Sequence, residues 1–316
     1  MAGRWLEQFL VAQARHARPN LRTPGSQTVN FSYEQAFSRN IGWVATPEQP
    51  VLRSKRIAIA GMGGVGGVHL LTLTRLGIGG FNIADFDAFD IVNFNRQAGA
   101  MMSTLGTPKL GVMAAQARDI NPELRLQLFP EGVTARNVDA FLDGVDLYVD
   151  GLDFFAFSAR QSLFAACARL GIPAITAAPI GMGAALLNFL PGRMTFEQYF
   201  GWGDLPDLEK ALRFLVGLAP AGLHRIYLVE PSAVDVAARR TPSTVMACQI
   251  CAGMAATEAL KILLRRGKVL AAPYGIQFDA YRNRMVKTWR PGGNENPMQR
   301  MILSMARRQF AAQRLA

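Results

Sequence analysis

RIAIAGMGGVGG (residues 56–67) runs a short apolar stretch into a cluster of glycines, and a helical period, GVGGVHLLTLTRLG, takes over within the same cluster. An apolar run of this length bounded by glycine reads as a buried strand, and strand, glycine turn and helix in succession open a βαβ unit. Gly61, Gly63, Gly64 and Gly66 permit a tight turn and let backbone N–H groups come close to a phosphate. The helix start adds unpaired donors and a positive dipole end. Asp85 follows Gly66 by nineteen residues, at the end of the next strand, where a carboxylate can accept from ribose hydroxyls. The stretch therefore predicts a nucleotide site without saying which nucleotide.

On either side, FNIAD, KLGVMAAQARDI, LRLQLF, VDAFL, DLYVDG, AFSARQSLFAACARLG and PAITA alternate strand-like and helical periods. Such alternation predicts an α/β fold, a Rossmann-like doubly wound and mostly parallel sheet. GMGAALLNFLPG reads as one further strand, ended by Pro191 and Gly192. The chain divides on this reading into an N-terminal arm (1–50), the nucleotide-binding core (51–192) and a substrate-side insertion (193–247), in which LEKALRFLVGLA is the one clear helix. A closing helix, CAGMAATEALKILLRRG, stopped by Gly267, and a C-terminal hairpin turning near Arg282 and Asn283 follow (248–290), and a basic helical tail ends the chain (291–316).

Composition narrows the function classes. Of 316 residues, 50% are hydrophobic and 18% charged, too apolar for disorder. The absence of a long uncharged run and of a secretory leader predicts a cytoplasmic protein with no membrane span. Three cysteines, Cys167, Cys248 and Cys251, cannot build a disulfide framework. The net charge of +11 is carried by the ends: residues 282–316 set eight Arg/Lys against Glu295, and residues 1–25 set four against Glu7. That distribution argues for solvated ends or an acidic partner, and against a nucleic-acid site.

Beyond Asp85, FDAFDIVNFNRQAGA supplies Asn93, Asn95, Arg96 and Gln97, and the next helix opens on Lys109. Singly, Arg96 and Lys109 read as a solvated loop charge and a helix-start lysine. Jointly at strand ends they suit a triphosphate, whose terminal charges want cations and a carboxylate for Mg²⁺. Asp150 and Asp153 in YVDGLDFF offer that carboxylate.

GMGGVG, IADFDAFDIVNFNRQ, GTPKLGVMAAQARDINP and LYVDGLDFFAFSAR, in this order and spacing, resemble the ThiF/MoeB/HesA adenylyltransferase family, bacterial relatives of the ubiquitin-activating enzymes. The resemblance implies that the glycine turn and Asp85 hold ATP, and that Asn93, Arg96, Gln97 and Lys109 contact its phosphates. It also implies that Asp153 places Mg²⁺. YEQAFSRNIGW resembles the family's arm, so that Arg39 would reach the triphosphate of the other protomer of a homodimer. The implied reaction is attack of a carboxylate on the α-phosphorus of ATP, giving an acyl-adenylate and pyrophosphate. The carboxylate would belong to a carrier-protein or peptide C-terminus or to a small-molecule acid.

The chain departs from the family in its cysteines. One pair, Cys248 and Cys251, with only His16, His69 and His224 elsewhere, argues against a structural zinc. The stretch 193–247 holds no cysteine, Cys167 sits mid-helix, and Cys248 is the single candidate for a thiol whose pKa a helix N-terminus lowers. Transfer of the adenylate without an enzyme thioester follows. His69 reads as packing, and His224 as a residue that could face substrate. Rival readings are a tRNA threonylcarbamoyladenosine dehydratase-like cyclisation, to which VTARNVDAFL is faintly similar, an NAD(P)-dependent oxidoreductase and a non-catalytic nucleotide-binding subunit.

Overall fold

The computed structural model describes residues 30–235 and 238–313. Two compact units divide the chain, Met1–Ala36 and Phe37–Ala316. In the first, the described residues form the short helix α1 (Tyr33–Ala36). The second begins with a 3-10 turn, Ser38–Asn40, and helix α2 (Glu48–Ser54), whose Leu52 is fully buried.

The α/β succession then unfolds as β1 (Arg56–Ala60), α3 (Gly66–Leu76), β2 (Gly80–Ala84), α4 (Lys109–Ile120), β3 (Arg125–Phe129), α5 (Val138–Phe141), β4 (Leu147–Asp150), α6 (Phe157–Leu170) and β5 (Ala174–Ile180). After it come β6 (Gly183–Phe189), α7 (Phe196–Phe200), α8 (Asp207–Leu218), α9 (Val245–Leu263), β7 (Tyr274–Asp279), β8 (Arg284–Trp289) and α10 (Pro297–Gln313). One sheet takes all eight strands in the order β3-β2-β1-β4-β5-β6-β7-β8. The first five are parallel and the last three antiparallel. The chain winds outward from β1 to β3 and resumes on the other side of β1 with β4, so a crevice opens between β1 and β4 at the carboxyl ends of the strands. Register sharpens this: Ala60 lies opposite Ala84 on one side and Asp150 on the other, so three loops leave the sheet side by side.

Parallel strands covered on both faces need apolar residues at every position, and Ile57, Ala58, Ile59 and Ala60 are all fully buried. One face packs Ile57, Ile59, Ile83, Val149 and Ile175 under α3 and α9. The other packs Ala58 and Tyr148 under an aromatic cluster that includes Phe164, Phe189, Phe196, Trp202 and Phe214. In residues 193–247 the sequence reading sees one clear helix, which is α8; α7 precedes it, and aromatic side chains of this stretch complete the second face. Truncating one such buried ring costs about 3–5 kcal/mol.

α9 is long and apolar enough to span a membrane by length and composition. Its Cys251, Ala255 and Ala259 are packed on the sheet, which explains the apolar run. The helix ends at Leu263, before the predicted Gly267, and Arg265 takes the first positive φ, +52°. The predicted hairpin is β7–β8, with Asn283 at φ +49° in its turn.

Candidate functional site at the carboxyl edge

The four glycines of the turn divide into two kinds. A Cβ on Gly66 would lie 1.7 Å from the Gly61 carbonyl oxygen, and one on Gly61, at φ +87°, would lie 2.3 Å from the Gly151 oxygen. These two let the turn close against β4. A Cβ on Gly63 would meet nothing nearer than the Gln97 amide at 3.7 Å. At Gly64 the neighbours are Cys248 Sγ at 3.2 Å and the Arg96 side chain at 3.5 Å. The N-cap of α3, Val65, offers no side-chain acceptor, so the first N–H groups of the helix suit an anion.

Asp85 leans back onto this turn. Its carboxylate accepts from the Met62 N–H at 2.6 Å and the Asp87 N–H at 2.7 Å. Burial pushes its pKa up, opposed by those two N–H groups and by Lys109. Lys109, the first residue of α4, is buried, and its Nζ lies 3.0 Å from Asp87 Oδ2. The Lys109 N–H also donates to the Asp87 carbonyl, at 2.9 Å. Asp87 is thus the partner that sequence reasoning missed; its two-residue offset from Asp85 was the available signal.

The segment after β2 turns back through Asn93, which is buried and accepts from the Asp90 N–H at 3.0 Å. The Asn93 carbonyl accepts from the N–H groups of both Arg96 and Gln97, fixing where those side chains start. Arg96 Nη1 donates to Asn95 Oδ1 at 2.9 Å and to the Val92 carbonyl at 3.2 Å. Asn95 Nδ2 in turn reaches the Ser243 carbonyl at 3.0 Å. Gln97 is buried beside Gly63, and its Oε1 has no hydrogen-bond partner among the described residues. A buried amide oxygen without a partner at an open glycine turn is a gap that a bound group can fill.

The aspartate that ends β4 and the one in the loop beyond it have different surroundings. Asp150 is 3% exposed and accepts from Arg160 Nε at 2.8 Å, Thr176 Oγ1 at 3.0 Å, the Leu152 N–H at 3.2 Å and the Tyr148 hydroxyl at 3.3 Å. So saturated a carboxylate is structural, which corrects the reading of Asp150 as a Mg²⁺ donor. Asp153 is exposed, with Oδ1 accepting from the Phe155 N–H at 2.9 Å. No cluster of three His, Cys, Asp or Glu suited to a metal occurs among the described residues. A single exposed carboxylate is nonetheless the donor set that suits Mg²⁺ shared with nucleotide phosphates.

Cys248 corrects a second expectation. Burial pushes its thiol up, overriding Ser243 and Arg96, which pull down. Cys251 and Cys167 are raised by burial as well. His69 is fully buried in α3 with neither ring nitrogen partnered among the described residues, and burial lowers its pKa to about 4. His224 packs its Cβ against Gly181, and burial lowers its pKa too. Next to it, the Tyr227 hydroxyl donates to the buried Asp279 at 2.6 Å and accepts from the Met182 N–H at 2.9 Å, a pairing the sequence did not signal. Arg39 stands exposed in the Ser38–Asn40 turn and bonds to none of these residues.

A model of the ThiF family matches residues 37–300. The tRNA threonylcarbamoyladenosine dehydratase of Bacillus subtilis is 35% identical over 150 residues, which cover 47% of this chain and 57% of that protein. The sulfur carrier protein ThiS adenylyltransferase of Escherichia coli is 29% identical over 155 residues, 47% of this chain and 58% of that one. Each alignment thus spans little more than half of the relative. A crystal structure of E. coli MccB with AMPCPP and MccA shares the fold at TM-score 0.63 and 19% identity, covering 83% of this chain and 73% of that one.

Proposed function

This chain belongs to the ThiF family, and we propose that it is an ATP-dependent adenylyltransferase acting on a carboxylate. The observation that carries the reading is the convergence, at the β1/β4 crevice, of an open glycine turn, the Asp85 carboxylate, two cations and one exposed carboxylate. The glycine turn and α3 would take the phosphates, and Asp85 the ribose. Gln97, Arg96 and Lys109 would surround the phosphate chain, with Asn93 shaping their loop. The resemblance to a ThiS adenylyltransferase supports the same chemistry.

In that reaction a substrate carboxylate oxygen bonds to the α-phosphorus while the bond to pyrophosphate breaks. Negative charge builds on the leaving pyrophosphate, so positioning and cationic stabilisation supply the catalysis. Arg96 stands at the turn for that role. Lys109 must share its charge between Asp87 and the phosphates. Mg²⁺, held through Asp153 and the phosphates, would neutralise further charge. No protein nucleophile is needed, and the buried Cys248 is unsuited to be one, so the acyl group passes to its acceptor, or is eliminated, without an enzyme thioester.

A cytoplasmic homodimer completes the proposal, each protomer's Arg39 serving the other's site. Phe86, Val92 and Met102 are 77%, 69% and 73% exposed on the segment that bears Arg96, an apolar surface suited to a second copy. A second reading, cyclisation of a threonylcarbamoyl carboxylate after activation, is favoured by the 35% identity to the dehydratase.

Pyrophosphate exchange against a panel of carboxylates tests both, with carrier-protein C-termini, peptides, small acids and threonylcarbamoyladenosine as its arms. Calorimetric titration with ATP and with NADH accompanies it. ATP binding with exchange on one arm is expected; tight NADH binding without ATP binding would replace the proposal by an oxidoreductase. ATP binding with no exchange on any arm would point to a nucleotide-binding subunit.

A further inference from the structure

The exposed Asp153 stands on the loop between β4 and α6, where one side chain holds three consecutive carbonyls, those of residues 152–154. Arg160, 2% exposed, donates from Nη2 to the carbonyls of Leu152 at 2.8 Å and Asp153 at 2.9 Å, and from Nη1 to that of Phe154 at 3.1 Å. Its Nε meets Asp150 at 2.8 Å. Asp150 is anchored in turn to Tyr148 on β4 and Thr176 on β5. Beneath the guanidinium lies Phe214 of α8, 4.7 Å from Cζ to ring centroid, and the same ring packs against Phe154 at 5.4 Å.

A fully desolvated ion pair is a poor source of stability, because apolar residues of like volume do as well or better. What this pair supplies is geometry. A planar guanidinium can grip a carboxylate on one edge and three carbonyls on the others, whereas an ammonium acts as a point charge. We infer that Arg160, seated on Phe214, is a positioning residue that holds the 152–154 loop so that Asp153 presents its carboxylate to Mg²⁺ at the phosphates. This rests on the function proposed above, and it extends the site into residues 193–247, since α8 supplies the floor of the clamp.

The test compares Arg160→Lys with wild type in three measurements: amide hydrogen exchange at Leu152 and Phe155, the Mg²⁺ concentration that half-saturates the ATP-bound protein, and ATP affinity without metal. Loss of a partner that orients a metal-binding group typically weakens metal affinity 10- to 100-fold. Exchange about tenfold faster at the two amides, a Mg²⁺ requirement raised by about tenfold or more and metal-free ATP affinity within about twofold are expected. A folded Arg160→Lys protein with unchanged exchange and unchanged Mg²⁺ requirement would overturn the inference. If that variant does not fold, Phe214→Leu decides: a Mg²⁺ requirement raised about threefold supports the clamp, and an unmoved one overturns it. Wild-type protein that binds neither ATP nor Mg²⁺ would sink the proposed function and the metal role together, while the exchange measurement still reads the loop.

Discussion

Lys109 and Asp87 are joined twice, Nζ to Oδ2 at 3.0 Å and N–H to carbonyl at 2.9 Å, and Asp87 also donates its own N–H to Asp85. One residue thus ties the expected ribose acid to the expected phosphate cation. Removing the Asp87 carboxylate in Asp87→Ala leaves a buried ammonium unpaired until a phosphate arrives. Without ligand the variant should lose about 1–2 kcal/mol, a cost moderated because Asp87 itself is half exposed. Saturating MgATP should recover part of that loss, seen as a larger ligand-induced rise in melting temperature than in wild type. An equal rise in the two proteins would mean that Lys109 never changes partner.

Lys109→Ala and Arg96→Ala should each cost about 10²-fold or more in pyrophosphate exchange, the usual price of one charge-stabilising donor. Either variant at wild-type rate would remove that residue from the site.

The glycines should separate fold from binding. Gly66→Ala forces a Cβ into the Gly61 carbonyl at 1.7 Å and should fold poorly or not at all. Gly63→Ala, with only the Gln97 amide at 3.7 Å for company, should melt like wild type yet bind ATP at least about tenfold more weakly, because the added methyl occupies the phosphate approach. Calorimetry beside thermal melting reads both, and a Gly63→Ala protein with normal affinity would place the phosphates elsewhere.

His69 predicts an acid limit. With a folded-state pKa lowered to about 4, it takes up a proton in the unfolded chain first, so stability declines as pH falls from about 6.5 toward 4 and is full above that window. Between pH 7 and 4.5 the contribution is about 2–3 kcal/mol. Urea unfolding at both pH values should show a smaller loss for His69→Leu than for wild type, by about that amount; identical losses would contradict it.

Cys248→Ala should retain adenylation and turnover, and iodoacetamide should label the native wild-type protein slowly at this position. A thioester on Cys248 detected by intact mass would restore a thiol mechanism.

The parallel half of the fold was legible because it lies within single strand, turn and helix segments, where period and spacing speak directly, and the same local spacing brings Arg96 and Gln97 beside the glycine turn. Asp150 was misread because its partners, Tyr148, Arg160 and Thr176, sit on β4, α6 and β5 and meet only once the sheet is assembled. Arg160 did carry a signal. It falls three residues after Phe157 and three and four before Leu163 and Phe164, on the buried face of α6, and an arginine on an apolar stripe asks for a buried partner. The aromatic cluster was marked less clearly: Phe196, Tyr199 and Phe200 stand at i, i+3 and i+4, but α7 is only five residues long, too short for its period to announce a helix. The lowered thiol pKa expected at Cys248 failed for a general reason: a helix end acts over one turn, while burial penalises the thiolate wherever it sits.

Phe214 gives the fold a dependency that matters to anyone recombining it. The connection from β6 to β7 is the longest in the unit and looks like a cassette that could be exchanged between relatives. Its second helix, however, underpins the loop that leads from β4 into α6. A chimera keeping residues 37–189 and importing a foreign connection would retain Asp85, Arg96, Gln97, Lys109 and Asp153 and still lose the seat of the Arg160 guanidinium, unless the graft returned an aromatic ring to the position of Phe214. If the proposed function and the Arg160 clamp hold, such a graft would carry substrate range and metal affinity together.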